Sequence, residues 1–380
     1  MNIDAIGVRL NLLIGKEIPL PAPAAVMESF ESAEIAVSDT DPSGFSLVLK
    51  AGRSAKLAGD LPLLKMQSLQ AGSRIVITGI LGVKIDVLMD GVIQDVDFKP
   101  AAEGGSATLT LKGRDLTALM DLEEKQAAFP GMASMDIVLQ ILASYSRYGI
   151  IPDIRPPLAS SRDNPVDRTP MQSGTDLAYI NELAAEADHI FALLPGPVPL
   201  TSRAYWGPPP RLGVPQPALT TNMGPETNIS GLSFENTESE AAQVSGNVQD
   251  IQTGQTVPVQ STHSRRLPLA ARSAMNNART LRTQILRPQA GQAPGEALSR
   301  AQAQSDATTD TLKATGELDL GKYGRVLNTS KLVGLRGAGL DHDGLYYVKD
   351  VVHTITPGTW TQAFTLTREG LGTTVPNVRP

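Results

Sequence analysis

The sequence predicts an α+β, mainly β protein: two similar antiparallel β domains, each a small β-barrel or sandwich, with an α-rich insertion between them. Three observations predict it. First, residues 343–368 echo residues 90–114. Each copy opens with Asp-Gly, runs through an apolar strand containing Asp-Val (Asp95-Val96, Asp350-Val351) and crosses a polar turn. Each ends in a strand, Leu109-Thr110-Leu111 against Phe364-Thr365-Leu366, with a basic residue after it. The copies stand near opposite ends of the chain, far beyond the ~20–50-residue period of a solenoid. Second, apolar residues recur with period two, the period of a half-buried strand, throughout the first and last thirds. Third, the period becomes helical between them.

Taken in order, Val8, Leu10, Leu12 and Ile14 alternate with Arg9 and Asn11. Gly15-Lys16 turns this strand back, and Pro19, Pro21 and Pro23 end its pairing. Residues 34–37 and then Phe45, Leu47 and Leu49 flank Asp41-Pro42-Ser43-Gly44, whose chemistry is that of a tight turn. Residues 75–114 supply three or four more strands, so residues 1–115 read as the first barrel domain. Residues 116–190 read as the α-rich insertion. Asp115 caps a short helix through Asp121. A second helix begins at Ser134, carries Ile137, Val138, Ile141, Leu142 and Tyr145 on one side, and stops at Gly149 and Pro152. Ser173 and Asp176 form a capping box ahead of a stripe of Leu177, Ile180, Leu183, Ala184 and Ala187. Residues 190–194 form a strand.

Residues 191–228 read as a Pro-rich connector completing the first domain. Between Pro195 and Pro225 it has no room for regular structure, and Tyr205 and Trp206 pin it to a neighbour. The second barrel domain takes residues 229–370, with strands at 229–234, 241–248 and 256–259 and a helical insertion near 270–313. The helix at 295–313 has few large apolar residues and is expected on a surface or against a partner. Residues 371–380 read as a frayed tail.

Composition bounds the function. With 41% hydrophobic but only 4% aromatic residues, aliphatic side chains must build the core. A net charge of −6 argues against binding nucleic acid by neutralising phosphates. The absence of Cys excludes disulfides, thiolate zinc sites and Cys nucleophiles. The first residues lack the basic and apolar regions of a signal peptide, and no apolar run is long enough to span a bilayer, so assembly in a cytoplasm is expected.

Chemistry has few candidates. His189, His263, His342 and His353 occur in no metal-ligand spacing. Asp341-His342-Asp343 is the tightest cluster of ligand-type side chains, yet Asp343-Gly344 is turn chemistry, and the cluster reads as a solvated turn. Gly316-x-x-x-x-Gly321-Lys322 has the outline of a phosphate loop, but Tyr323 replaces the Ser/Thr that would hold magnesium, and neither an apolar strand before it nor a helix after it is expected. Asn228 and Asn328 begin sequon patterns that read as ordinary turns. Arg265, Arg266, Arg272, Arg279, Arg282 and Arg287 make one basic run, read as a solvated or partner-facing surface. No catalytic, cofactor-binding or metal-binding residue is assigned, and no enzyme is expected.

The order of these features resembles the baseplate hub proteins of contractile phage tails, the late control protein D family, and the hub module of VgrG-type spike proteins. The residues that carry the resemblance are Asp90-Gly91-Val92-Ile93, Gly113-Arg114-Asp115, Met135-Asp136-Ile137-Val138 and Tyr148-Gly149, the segment from Gln172 to Ala185, Gly337-Ala338-Gly339, Asp343 to Val348, His353, and Thr365 to Arg368. The resemblance implies a homotrimer whose paired tube domains form a pseudo-sixfold ring, adapting a sixfold tail tube to a threefold central spike. It also implies the partners: a tail tube protein, a separate spike protein (because the chain stops soon after its last strand) and baseplate wedge or LysM-type proteins. The place would be a virion baseplate or injection particle. A particle-borne cell-wall hydrolase using Asp341 and Asp343, and a monomeric β-rich adhesion module, are the competing expectations. A mildly acidic lumen that DNA could slide past follows from the charge balance.

Overall fold

In the computed structural model the described residues are 8–16, 18–51, 62–101, 107–157, 169–250, 253–261, 263–277, 279–288 and 293–375. The alternating segments of the first third pair as their period dictates. They are β1 (Val8–Gly15), the two-residue β2 (Leu20–Pro21), β3 (Phe30–Ser38), β4 (Gly44–Ala51), β5 (Arg74–Leu81), β6 (Lys84–Lys99) and β7 (Ala107–Asp115), with helix α1 (Ala24–Glu28) between β2 and β3. Phe45, Leu47 and Leu49 of β4 are buried at 5%, 0% and 0% exposure, so the alternation does select the core face. Pro21 does not end the pairing: it lies opposite Leu13, in an edge strand where its missing N–H is tolerated.

The middle third mixes helices with strands: β8 (Glu124–Ala128), α2 (Ser134–Ala143), β9 (Ile150–Ile154), β10 (Met171–Thr175), α3 (Asp176–Glu186), β11 (Ile190–Pro195) and β12 (Ser202–Gly207). The expected connector therefore contains a regular strand. Tyr205 and Trp206 belong to β12, which pairs with β11 on one side and with β9 on the other, and Trp206 is fully buried. Most of the prolines fall between strands; Pro195 ends β11 opposite Ser202, and Pro217 lies in the strand Gln216–Thr220, where the pairing is irregular. Asp115 accepts a hydrogen bond from the Thr117 N–H (3.0 Å), capping a 3-10 turn over Leu116–Asp121 as anticipated. At α3 the cap is Thr175, whose hydroxyl accepts from the Ala178 N–H (3.2 Å), not Ser173, which lies in β10. Asp176 turns inward and binds Lys125 Nζ (2.6 Å), the Tyr145 hydroxyl (2.7 Å) and Gln172 Nε2 (2.8 Å).

The last third holds β13 (Gln216–Thr220), β14 (Ile229–Asn236), β15 (Ala242–Gln249), β16 (Thr256–Gln260), β17 (Ala270–Ser273), β18 (Arg282–Ile285), α4 (Pro294–Ala307), β19 (Leu312–Asp319), α5 (Leu320–Tyr323), β20 (Leu332–Arg336), β21 (Gly344–Thr356), β22 (Thr359–Arg368) and β23 (Gly370–Thr373). Helix α4 is shorter than expected, because residues from 312 onward form β19. It is also not a surface helix. Ala297, Ala301 and Ala303 are buried, and its polar residues are satisfied inside: Ser305 donates to the Ala242 carbonyl (2.8 Å) and Gln302 to the His263 carbonyl (2.7 Å). The start of the supposed tail pairs with β17 as β23. Residues 376–380 of that tail, residues 1–7 and residues 158–168 lie outside the described residues. No helix among the described residues is long and apolar enough to cross a membrane.

One 13-stranded sheet runs through both halves in the order β14-β19-β22-β21-β3-β4-β7-β6-β5-β1-β2, with β13 and β20 branching from β21. The expected pair of separate barrels is thus one open, continuous sheet. The repeat is nevertheless real in its pairing. The order β3-β4-β7-β6-β5 matches β14-β19-β22-β21-β20, antiparallel at every step. Both long strands carry a register shift at the same place, Gln94 in β6 and Lys349 in β21. Aligning these bulges puts Asp95-Val96 on Asp350-Val351, as the sequence suggested. It also puts Leu111 on Phe364, since each lies opposite the matching valine. The Leu109–Phe364 match read from sequence is therefore two residues out, a slip that keeps the same face and so leaves the hydrophobic pattern unchanged. The likeness ends at the sixth strand: β1 is antiparallel to β5, whereas β13 is parallel to β20.

Candidate functional site

The sequence-level candidates for chemistry serve the fold. In the turn before β21, Asp343 accepts from the Ala338 N–H (2.8 Å), and Asp341 pairs with Arg272. The buried Arg368 guanidinium donates to the carbonyls of Asp341 (2.6 Å) and Asp343 (3.1 Å), and Tyr346 donates to that of His342 (2.7 Å). Both carboxylates are thereby engaged in closing one loop. Gly316 lies inside β19, where an added Cβ would meet the Phe364 ring at 2.7 Å. A helix does follow, contrary to expectation, but α5 has four residues and its Gly321 N–H donates to the Asp319 carboxylate (2.9 Å), an anion already in place. The amides of Asn228 and Asn328 bridge strands and turns through Thr220, Ala218, Gln216 and Val326.

The basic run divides. Arg279, Arg282 and Arg287 are exposed around β18. Arg265 and Arg266 instead join a buried ionic network. Arg266 binds Asp188 (2.5 Å) and Asp310 (3.1 Å), Arg265 binds Asp306 (3.1 Å), and Arg211 binds Asp310 and Glu369 (3.1 Å). Glu369 also accepts from the N–H groups of Leu269 and Ala270, the latter at 2.7 Å. The network ties the end of α3, the connector and the C-terminal strands together. Burial disfavours the charge on Arg266, but Asp188 and Asp310 more than offset it and hold its pKa above the usual value. His189 sits beside the network with its ring 4.4 Å from Trp206, and burial helped by Arg265 lowers its pKa to about 4.

The feature without an internal explanation is a pair of strand edges. Where the halves meet, β3 pairs with β21 over Asp350↔Ser38 to Ile355↔Ala33. This seam is dry on its core side: Val351, His353 and Ile355 are 1%, 3% and 2% exposed, against Ile35 at 0% and Ala33 at 1%. Burial lowers the His353 pKa to about 3, keeping the ring neutral and able to accept from Trp360 Nε1 (3.2 Å). At the seam's end Tyr347 donates to Asp39 (2.7 Å), whose pKa burial raises to about 6. Among the described residues the matching edges elsewhere have no strand beside them. Beyond its bulge, β6 is exposed from Gln94 to Lys99, with Val96 and Phe98 at 38% and 36% exposure, and β14 ends the strand order. Val96, Leu63, Leu64, Leu69 and Leu109 line an open apolar hollow of about 590 Å³ beside the β6 edge. Sequence reasoning did not find these edges. The signal was present, because Val96 and Phe98 keep the alternation of Val351 and His353, but an unpaired edge is a property of topology.

No family model matches the sequence, and no curated protein matches it. Among solved structures, the chain is similar to a tail protein from Neisseria meningitidis, with 13% identity, a TM-score of 0.64, and coverage of 98% of this chain and 100% of that one. It is also similar to the 43 kDa tail protein of prophage MuSo2 from Shewanella oneidensis, with 12% identity, a TM-score of 0.64 and coverage of 95% and 98%. A third is an E. coli component of the type VI secretion system, itself described as structurally similar to bacteriophage T4 tail proteins. There the identity is 11%, the TM-score 0.55 and the coverage 93% of this chain and 77% of that one. At these identities the likeness establishes a shared fold, and it extends over nearly the whole chain.

Proposed function

We propose that this chain is a structural hub of a phage-type baseplate or injection particle, a homotrimer that adapts a sixfold tail tube to a threefold spike. The observation that carries the proposal is the repeated five-strand order with one built-in seam between the copies. A chain that holds two like sheet segments, 1–115 and 229–370, can present six comparable surfaces when three copies close into a ring. The solvent face of the sheet would then line the channel. It carries Glu34, Asp95, Asp97, Glu235 and Glu317 against Lys99, Lys112 and Lys313, a mildly acidic wall past which a polyanion could slide. The fold shared with tail proteins supports this place in a particle, beside a tube protein and a separate spike, with wedge or LysM-type proteins as further neighbours. The engaged state of Asp341 and Asp343 supports a role without catalysis.

Light scattering on the purified chain at micromolar concentration tests the oligomer. The proposal expects a mass about three times the chain's 40.2 kDa. A monomer that persists on concentration refutes it.

A further inference from the structure

We infer that the bare edge of β6 pairs with β14 of a second copy of this chain, in the register that β21 and β3 use within one chain; this rests on the trimeric ring proposed above. The partner is chosen by equivalence. The bulges equate Asp95 with Asp350, and Lys112 and Thr365 lie opposite those two aspartates. Following that rung outward, Lys112 leads through Ser46 to Glu34, and Thr365 leads through Thr315 to Ser233. Ser233 of β14 therefore stands where Glu34 stands in β3, and Phe234 stands where Ile35 stands. The internal pairs Thr354↔Glu34 and His353↔Ile35 become Lys99↔Ser233 and Phe98↔Phe234 between copies.

The chemistry of these residues fits the transfer. Val96 and Phe98 occupy positions that are dry in the internal seam, yet here they are more than a third exposed. The hollow beside Val96 is apolar, and Phe234, half-buried against the His342 ring at 4.2 Å, is an aromatic side chain placed to meet it. Asp97 falls opposite Glu235, a like-charge pair offset by Lys112, which binds Asp97 at 2.8 Å, and by Lys99, which lies diagonal to Glu235. A strand edge with apolar side chains is a template for pairing, and head-to-tail use of two different edges closes into a ring once the rotation allows it. The match is drawn from Ser233 onward, because β14 is irregular between Ser230 and Ser233.

The natural absence of Cys makes the register directly readable. In a Lys99→Cys, Ser233→Cys chain the two positions face each other across an antiparallel pair, within the ~4.4–6.8 Å Cα separation that a disulfide needs. Mild oxidation should convert at least half of the protein to covalent dimers and closed covalent trimers on a non-reducing gel. An Asp97→Cys, Ser233→Cys chain, displaced by two positions, should give at least tenfold less. The second variant, Phe98→Asp, leaves the internal seam untouched and should keep its far-ultraviolet circular dichroism while its mass falls to that of one chain. A wild-type trimer whose Lys99–Ser233 pair does not cross-link, or whose displaced pair cross-links better, overturns the edge assignment and leaves the trimer standing. So does a Phe98→Asp protein that remains trimeric. A wild-type monomer overturns both.

Discussion

Replacing Asp39 by Asn at the end of the internal seam should make the protein more stable at neutral pH. The carboxyl is 3% exposed; one oxygen accepts from Tyr347 (2.7 Å), and the other has no hydrogen-bond partner among the described residues. Burial raises its pKa from 3.8 to about 6, against the pull of the Tyr347 hydroxyl and Lys349. The folded state thus holds its proton more tightly than the unfolded chain. Below the unfolded value both states are protonated, and the group has no effect. As pH rises from 3.8 to about 6 the unfolded chain ionises first and stability falls, and above about 6 the full loss is in place. A shift of roughly two units corresponds to about 3 kcal/mol. Asn keeps an acceptor for Tyr347 and exchanges one unpaired polar atom for another, so only the titration is removed. Urea unfolding at matched chain concentration, followed by Trp360 fluorescence in a Trp206→Phe background, reads the difference. The Asn variant should be more stable by about 3 kcal/mol near pH 7.5 and indistinguishable near pH 4. Contributions from Asp115, raised by burial to about 6, and from the two buried histidines are common to both proteins and cancel. Parallel pH profiles, or a less stable variant at neutral pH, would refute the reasoning.

Truncating Arg211→Ala should lower stability by about 3–5 kcal/mol in thermal unfolding, because it leaves Asp310 and Glu369 buried without their shared cation; adding Glu369→Gln should recover part of the loss. His353→Gln should flatten the acid limb of the stability curve: a ring held neutral to about pH 3 costs stability as pH falls below about 6.5, and Gln can still accept from Trp360. Urea midpoints between about pH 6.5 and 4 measure that slope. Gly79→Val should cost about 1–3 kcal/mol and perturb Trp360 emission, since even a Cβ there would lie 2.1 Å from the indole ring. The Asp341→Ala, Asp343→Ala pair should cost about 1–2 kcal/mol through the turn it unties. Should the wild type release peptidoglycan fragments and this double variant not, the hydrolase reading would be restored.

The strands were legible because period two is a local signal: Leu47, Leu49, Leu109 and Leu111 declare their face without knowledge of a partner. The repeat was legible for the same reason, through Asp95-Val96 and Asp350-Val351. What escaped was set by distant contacts. Trp206 lies in a strand because β11 and β9 flank it, whatever the nearby prolines suggest. Helix α4 is polar in sequence yet buried, because Ser305 and Gln302 find carbonyl partners many residues away. The cap of α3 moved from Ser173 to Thr175 because β8 captures Ser173 into a strand opposite Gln126. The candidate interface was illegible for a deeper reason: the sequence shows that Phe98 is apolar and placed like a core residue, but only the strand order shows that no strand among the described residues pairs beside it.

An electron-microscopy density map of the purified protein tests the central claim most directly. The account predicts a threefold ring in which one sheet passes without a break through six crossings, three of them between β3 and β21 of one chain and three between β6 and β14 of neighbours. Single chains, or a ring in which the β6 edge faces solvent, would contradict it.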